Sequence, residues 1–447
     1  MGCKRKMKKY VLNKKIKIKK LVDSGGHYFF GYFGKSPWSK GGRYAVCLEV
    51  GFIDRHPREN DSANIMLIDF KNKSKKKIAE TRAWNWQQGC MMQWMPTGFD
   101  KEIIFNDRKD GKFVSRILDV ETLKEKVVPY PIYDVHPSGE YALSVSFEKL
   151  NSVRTGYGYA GGLIEDFTGK ISKDEGVYLI NLKNNKRKLI VKLSDLYNYK
   201  NLKSMDKGRH WIDQPVFNPS GDRFCFLHRW EIDGGLFHSR FFSVGIDGKD
   251  LFMFPDSGFY SHFCWKSSEE ILMFCSVSEK FGNIRSGNNF SKFLINWVRP
   301  VYRSVVPRSI RKRVLPVGYF LLKDLSKEMR KIDVYNDDGH MSFSKDGRYL
   351  ITDTYPNSRH YRKLILYDWK RGKRTVLGEF YSLPDKKYLE DTKISEYRKW
   401  GSSPLRVDLH PRWDFKGKKV CFDSIHEGKR GIYFLEMREH GGSKRIV

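Results

Sequence analysis

Apolar and polar residues alternate along short stretches of this chain, and Gly, Pro, Asn and Asp turns break the stretches apart. Period-two patterning bounded by such turns predicts half-buried β-strands. One composite pattern recurs: an apolar pair, a turn holding Gly or charged residues, then an alternating strand. It appears as SPWSKGGRYAVCLEV (36–50), MQWMPTGFDKEIIFND (92–107), YDVHPSGEYALSVSF (133–147) and PVFNPSGDRFCFLHRW (215–230). It returns as CWKSSEEILMFCS (264–276), MSFSKDGRYLITDTYP (341–356) and HPRWDFKGKKVCFDSI (410–425). Each copy leads into a second hairpin with a Lys-rich turn, such as NIMLIDFKNKSKKKI (64–78), GVYLINLKNNKRKLI (176–190) or the final GIYFLEMREHGGSKRIV (431–447). Four antiparallel strands repeated seven times predict an all-β fold, a seven-bladed β-propeller. The expected organisation is a basic tail over 1–10 and one propeller over 11–447.

Three insertions break the repeat. Residues 148–174 fall between the second and third strands of blade three, residues 277–317 between those of blade five, and residues 378–405 lengthen the entry to blade seven. Long loops on a rigid scaffold are where function tends to sit.

Composition adds a strong charge. Lys and Arg number 83 against 52 Asp and Glu, a formal net charge of +31, and 15% of residues are aromatic. Disorder as the main state is excluded, because disordered chains are poor in aromatics. The excess of cations implies a polyanionic partner or an anionic surface. No apolar run reaches the 18 or so residues of a membrane span. The first twenty residues hold ten Lys/Arg and lack the apolar stretch of a secretory signal, so a cytoplasmic location is expected. The seven scattered cysteines suit reduced thiols. Nucleic acid ranks below other polyanions, because the Lys-rich turns are spread over all blades and form no recognised motif.

In a propeller the first strand of each blade lines the central channel, and these strand starts are rich in His: His210, His262, His340 and His410. Asp213, His262, Cys264 and His340 make a mixed N/O/S donor set suited to one zinc or manganese ion. A second set combines Arg, His and aromatic residues: Arg154, Tyr157, Tyr159, His228, Arg229, Trp230, Arg240, Tyr355, Arg359 and Arg430. Arg forks bind carboxylates or sulfates, and flat rings stack on sugars. Tyr and His can move protons.

The stretches HYFFGYFGKSPWS, WNWQQG, YGYAGG and DTYP together resemble the β-propeller polysaccharide lyases that cleave ulvan. The blade starts also resemble oligogalacturonate lyases and the wider TolB-like propellers, over most of residues 26–437. The resemblance implies β-elimination on a uronic-acid polymer: a cation neutralises the carboxylate, a base removes the C5 proton and an acid protonates the leaving oxygen. Tyr157 or Tyr159 matches the family's catalytic tyrosine region, and Lys173 or Arg154 would supply neutralising charge. The family's blade-two histidines are replaced here by Gln87, Gln88, Asn106 and Asp107, which leaves His27 and His228 for proton transfer. The alternative is a non-catalytic binding or scaffold propeller in surface-polysaccharide assembly at the cytoplasmic membrane face.

The blade-five insertion has its own pattern. Phe290, Phe293, Leu294, Trp297, Val298, Val301, Tyr302 and Val305 share one helical face. Nine Lys/Arg against the single acid Glu279 give residues 277–317 a charge of +8. An apolar face opposite a basic one predicts an amphipathic segment lying in an anionic membrane surface, with Pro300 breaking the helix.

Overall fold

The computed structural model describes residues 9–446, apart from residues 14–15, 24, 163–170, 207, 233–235, 257, 277–316, 384–405, 438 and 441–444. Seven antiparallel sheets make the blades of a seven-bladed β-propeller, as the repeat predicts. The chain divides into two compact units. One comprises Met1–Pro131, Arg154–Gly162 and Gly339–Val447, and the other comprises Ile132–Val153 and Leu163–Asp338.

The first unit carries blades one, two, six and seven. Blade one runs His27–Phe29, Tyr44–Val50, Ala63–Asp69 and Ser74–Thr81, and blade two runs Gln93–Trp94, Glu102–Lys109, Lys112–Asp119 and Glu125–Val128. Blade six is Ser342–Phe343, Tyr349–Asp353, Tyr361–Asp368 and Lys373–Tyr381, with a fifth strand, Tyr10–Leu12, on its outer edge. Blade seven is Arg412–Trp413, Lys419–Ser424, Gly431–Glu436 and, outermost, Ile18–Lys20.

The N-terminal strands were not legible in the sequence. The repeat places the fourth strand of blade seven within residues 431–447, but Ile18–Lys20 takes that place, in register Ile18↔Leu435 and Lys20↔Tyr433. Glu439–His440 pairs instead with Arg445–Ile446 in a separate two-stranded sheet. Tyr10–Leu12 likewise pairs with blade six in register Tyr10↔Phe380. An outer strand needs only backbone pairing on one edge, so short Lys-rich segments without alternation can serve.

The second unit carries blade three (Asp134–Val135, Tyr141–Ser144, Gly176–Asn181, Arg187–Lys192), blade four (His210–Phe217, Arg223–Ile232, Leu236–Gly245, Phe252–Met253) and blade five (Tyr260–Trp265, Glu270–Ser276, Val317–Lys323, Met329–Ile332). The insertions of blades three and five fall between second and third strands, where the sequence put them. Two short helices, Phe147–Val153 and Leu193–Asn198, had no clear sequence signal. The expected amphipathic segment at 277–317 lies outside the described residues, apart from the strand that begins at Val317. No helix among the described residues is long and apolar enough to cross a membrane.

Alternating side chains explain the packing. In blade one Ala45, Val46, Cys47, Leu48 and Ile65 are fully buried, and Trp38 is 0% exposed in the same cluster. The first hairpin turn of blade four depends on Gly221, at φ +85°, where an added Cβ would lie 2.1 Å from His136 Nε2. His136 Nε2 sits 3.0 Å from the Gly221 carbonyl, which ties the turns of blades three and four together.

Candidate metal and substrate site

The site belongs to the first unit and is built where the chain enters blades six and seven. His340 precedes the first strand of blade six, and Asp408 and His410 precede that of blade seven. Ligand atoms of these three residues lie within 4.8 Å of one another, and all three side chains are buried. The two imidazoles meet edge-on, with centroids 4.2 Å apart and planes at 86°.

Second partners fix both rings. His340 Nδ1 donates to the Asp353 carboxylate at 2.9 Å. His410 Nδ1 donates to the Gly31 carbonyl at 2.9 Å. A proton held on Nδ1 leaves the lone pair on Nε2, the usual state of a metal-binding imidazole. His410 Nε2 is buried without a hydrogen-bond partner. Burial, and then the neighbouring His340 charge, hold the His410 pKa well below the ordinary imidazole value, so its ring is neutral and able to ligate.

Asp353 organises this arrangement. Its carboxylate also accepts the backbone N–H groups of His340 at 2.8 Å, Leu409 at 3.0 Å and His410 at 3.2 Å. One side chain on blade six thus sets the backbone of both histidines. The hold matters most at His410, whose φ of +43° is in the left-handed region that a non-glycine residue enters at a cost. Burial and the adjacent Asp408 charge push the Asp353 pKa up.

Asp408 is fully buried between two guanidiniums, Arg362 Nη1 at 2.7 Å and Arg406 Nε at 2.7 Å. Burial opposes its charge, but Arg406 and Arg362 outweigh it and hold Asp408 well below the usual carboxylate range. Two Arg and two Asp make the buried group neutral. Two imidazole nitrogens and a carboxylate, with outer partners in place, fit a divalent ion of the zinc or manganese type.

Aromatic rings wall this centre. Phe33 lies 5.2 Å from His340, and Tyr32 lies 5.4 Å from His410. Tyr157 packs with both in one buried cluster. The Arg154 guanidinium stacks 3.5 Å from the Tyr157 ring centroid, and the Tyr157 hydroxyl is buried without a hydrogen-bond partner. Tyr355 is half-buried, 6.4 Å from His340 and 5.3 Å from the Arg406 guanidinium.

The other sequence candidates lie elsewhere or do other work. Tyr159 is fully buried and its hydroxyl accepts from Asn106 Nδ2 at 2.9 Å; burial holds its pKa well above the phenol value, which suits a packed residue. Arg430 packs 4.1 Å over Trp86 and donates to the Arg406 carbonyl at 2.8 Å. His27 is buried in the first strand of blade one, Arg359 is exposed on the turn after Tyr355, and Lys173 is exposed.

In the second unit, Asp213 pairs with Arg229 at 2.6 Å, and His262 Nδ1 lies 3.0 Å from Asp338. Cys264 is partly buried, and desolvation pushes its thiol up. Among the described residues, the metal-ligand group contains His340 of the four expected ligands, and Asp213, His262 and Cys264 are not members. Asp213 is instead committed to a buried ion pair. Trp230 stacks on His238 at 4.3 Å. Arg240 is fully buried, donating to Asp256 at 2.7 Å and to the carbonyls of Tyr199 and Lys200 at 2.9 Å and 2.7 Å. His228 is 0% exposed and 3.0 Å from His210. These residues pin the Leu193–Asn198 helix and the turn after it to blade four.

No family model matches this chain, and no curated protein matches it by sequence. Solved structures do. An oligogalacturonate lyase from Vibrio parahaemolyticus matches with a TM-score of 0.59 at 12% identity, over 96% of this chain and 97% of that one. A second, described as an oligogalacturonate lyase in complex with manganese, matches with a TM-score of 0.58 at 13% identity, over 97% and 99%. The fold is that of oligogalacturonate lyase. TolB from Acinetobacter baumannii is a more distant likeness, with a TM-score of 0.38 at 11% identity over 91% of this chain and 82% of that one. The resemblance read from the sequence therefore holds for the propeller.

Proposed function

We propose that this protein is a carbohydrate-active propeller that takes an acidic oligosaccharide at the His340–Asp408–His410 centre, with one divalent metal ion. The observation that carries the reading is the perpendicular pair of imidazoles, each locked through Nδ1, beside a buried carboxylate. The overlap of fold with a manganese-bound oligogalacturonate lyase supports the choice of metal class and substrate class.

His340, His410 and Asp408 would hold the ion, which when bound supplies a positive charge to oppose a uronate carboxylate. Charge balance favours an acidic ligand. The buried Arg362, Arg406, Asp353 and Asp408 already cancel, so a divalent ion leaves two positive charges for the ligand to offset. Tyr355 and Tyr32 offer flat faces for sugar rings. Tyr157 is the group best placed to move a proton, because its hydroxyl is buried, uncommitted and beside the Arg154 cation. In β-elimination it would take the C5 proton or return one to the leaving oxygen.

The test is incubation with a panel of uronic-acid oligosaccharides and added manganese, following the ultraviolet absorbance of unsaturated products. Wild type should turn over at least one of them, and His410→Ala and Tyr157→Phe should not. Absence of product throughout, with metal bound, would reject the catalytic reading. A non-catalytic binding role has one observation in its favour: Asn106, in the blade-two region where the resemblance implies a catalytic histidine, is committed to Tyr159 and Ser115. Glycan binding without turnover would support it.

A further inference from the structure

The candidate site leaves most of the surplus positive charge unexplained. One concave surface gathers part of it, in the first unit, on the hairpin turns at the opposite ends of the first strands of blades six and seven. A cavity of about 690 Å³ opens there, lined by Lys345, Asp346, Arg348, Tyr349, Lys416 and Lys418 among others. Four cations face one carboxylate. That carboxylate is already engaged, accepting the Ser344 hydroxyl at 2.6 Å and the Arg348 backbone N–H at 3.1 Å. Lys416 reaches the Gly41 carbonyl at 2.7 Å, so it neutralises no acid. Lys345 and Lys418 are exposed and form no ion pair among the described residues.

The walls are close and defined. The turns approach at Gly417, where φ is +64° and a Cβ would lie 4.0 Å from the Ser344 Cβ. A volume of this size suits a small molecule, since ligand pockets run roughly 300–1,000 Å³. A flat membrane surface has no need of a hollow. Like charges crowded into a hollow repel one another, and an anion relieves that repulsion. Lys ammoniums act as point charges suited to phosphate or sulfate oxygens.

The place is distinct from the metal centre. Ser344 follows His340 by four residues and Asp414 follows His410 by four, so about 13 Å of extended chain separates the two levels. A second cavity of about 260 Å³, lined by Phe33, Arg412 and Lys345 among others, lies between them.

We propose that this hollow is an anion-binding site for a small, multiply charged ligand bearing phosphate or sulfate groups. Calorimetric titration of the full chain with inorganic pyrophosphate at low salt tests it. Wild type should bind, and the double variant Lys345→Ala, Lys418→Ala should bind about tenfold more weakly or worse, the effect of losing one to two charge-assisted contacts. The control Lys71→Ala, Lys73→Ala, which removes the same charge from the outer turn of blade one, should match wild type. His410→Ala should also match wild type, which separates this site from a phosphate held by a metal. Equal loss in the control, loss in His410→Ala, or no binding by wild type at millimolar pyrophosphate would overturn the proposal. So would a double variant that keeps pyrophosphate affinity and loses only co-sedimentation with phosphatidylglycerol vesicles, which would assign these lysines to a membrane surface.

Discussion

Asp353 offers the sharpest test of how the candidate metal centre is built. Asp353→Asn keeps the shape and removes one acceptor oxygen. The native carboxylate serves four donors: His340 N–H at 2.8 Å, His340 Nδ1 at 2.9 Å, Leu409 N–H at 3.0 Å and His410 N–H at 3.2 Å. An amide turned either way presents its NH₂ to at least one or two of these donors. Each buried donor left unsatisfied costs about 1–3 kcal/mol, so a loss of about 2–5 kcal/mol is expected. The cost should fall on the backbone at residues 409–410, and the strained φ of His410 should relax toward an ordinary region. Metal affinity should fall with it, because both imidazoles lose their orientation. Denaturant unfolding followed by tryptophan fluorescence reads the first effect, and calorimetric titration with manganese reads the second. Asp346→Asn, on an exposed turn, is the control. If Asp353→Asn shows the wild-type midpoint and wild-type manganese affinity, Asp353 does not organise the site and the reasoning fails.

Three further outcomes follow from the structure. Burial lowers the His210 pKa to about 4 and holds His228 well below its ordinary value, so both are neutral in the fold. Their contribution is complete above about pH 6.5 and is lost as pH falls toward 4. For His210 the loss is about 3 kcal/mol, so thermal melts at pH 7.5, 5.5 and 4.5 should descend, and a flat series would contradict the burial argument. Deleting residues 1–20 should bare the outer edges of blades six and seven and cause association, visible as larger species by light scattering, whereas a monodisperse product would show that the edges need no cover. The basic blade-five insertion is proposed as a membrane contact; wild type should sediment with anionic liposomes at low salt and a deletion of 286–313 should not, each basic residue adding about 1 kcal/mol near the surface.

The blades were legible because their turns recur in register with alternating strands. The candidate metal centre was half legible. A backbone bond across each first hairpin fixes the frame: Ser344 N–H to Tyr349 O, Asp414 N–H to Lys419 O and Lys266 N–H to Glu270 O. In that frame His340, His410 and His262 each stand four residues ahead of the turn, a periodicity that strand-start histidines alone suggest but do not align. Asp408 was hidden by a coincidence. The string Asp-x-His-Pro occurs at Asp134–His136 and again at Asp408–His410. In blade three it runs into the turn itself, where His136 N–H bonds Tyr141 O. In blade seven it lies four residues earlier. Identical letters in different registers do different work, and only the strand pairing tells them apart. The N-terminal strands were illegible for another reason. Tyr10–Leu12 and Ile18–Lys20 each set a single half-buried apolar residue, Leu12 and Ile18, against the core, so no alternating hydrophobic pattern marks them.

The outer strand of blade seven also sets an order in time. Lys19 bonds Glu436 across 417 positions of sequence. During synthesis the ribosome makes Ile18–Lys20 long before its partner strand exists, at roughly 5–20 residues per second. The segment must therefore stay unclaimed for tens of seconds while intervening blades form. Its run of lysines is suited to that wait, because mutual repulsion discourages an early pairing with the wrong edge. A chain halted before residue 431 lacks the strand that receives it, so the last seam of this propeller records that translation reached its final blade.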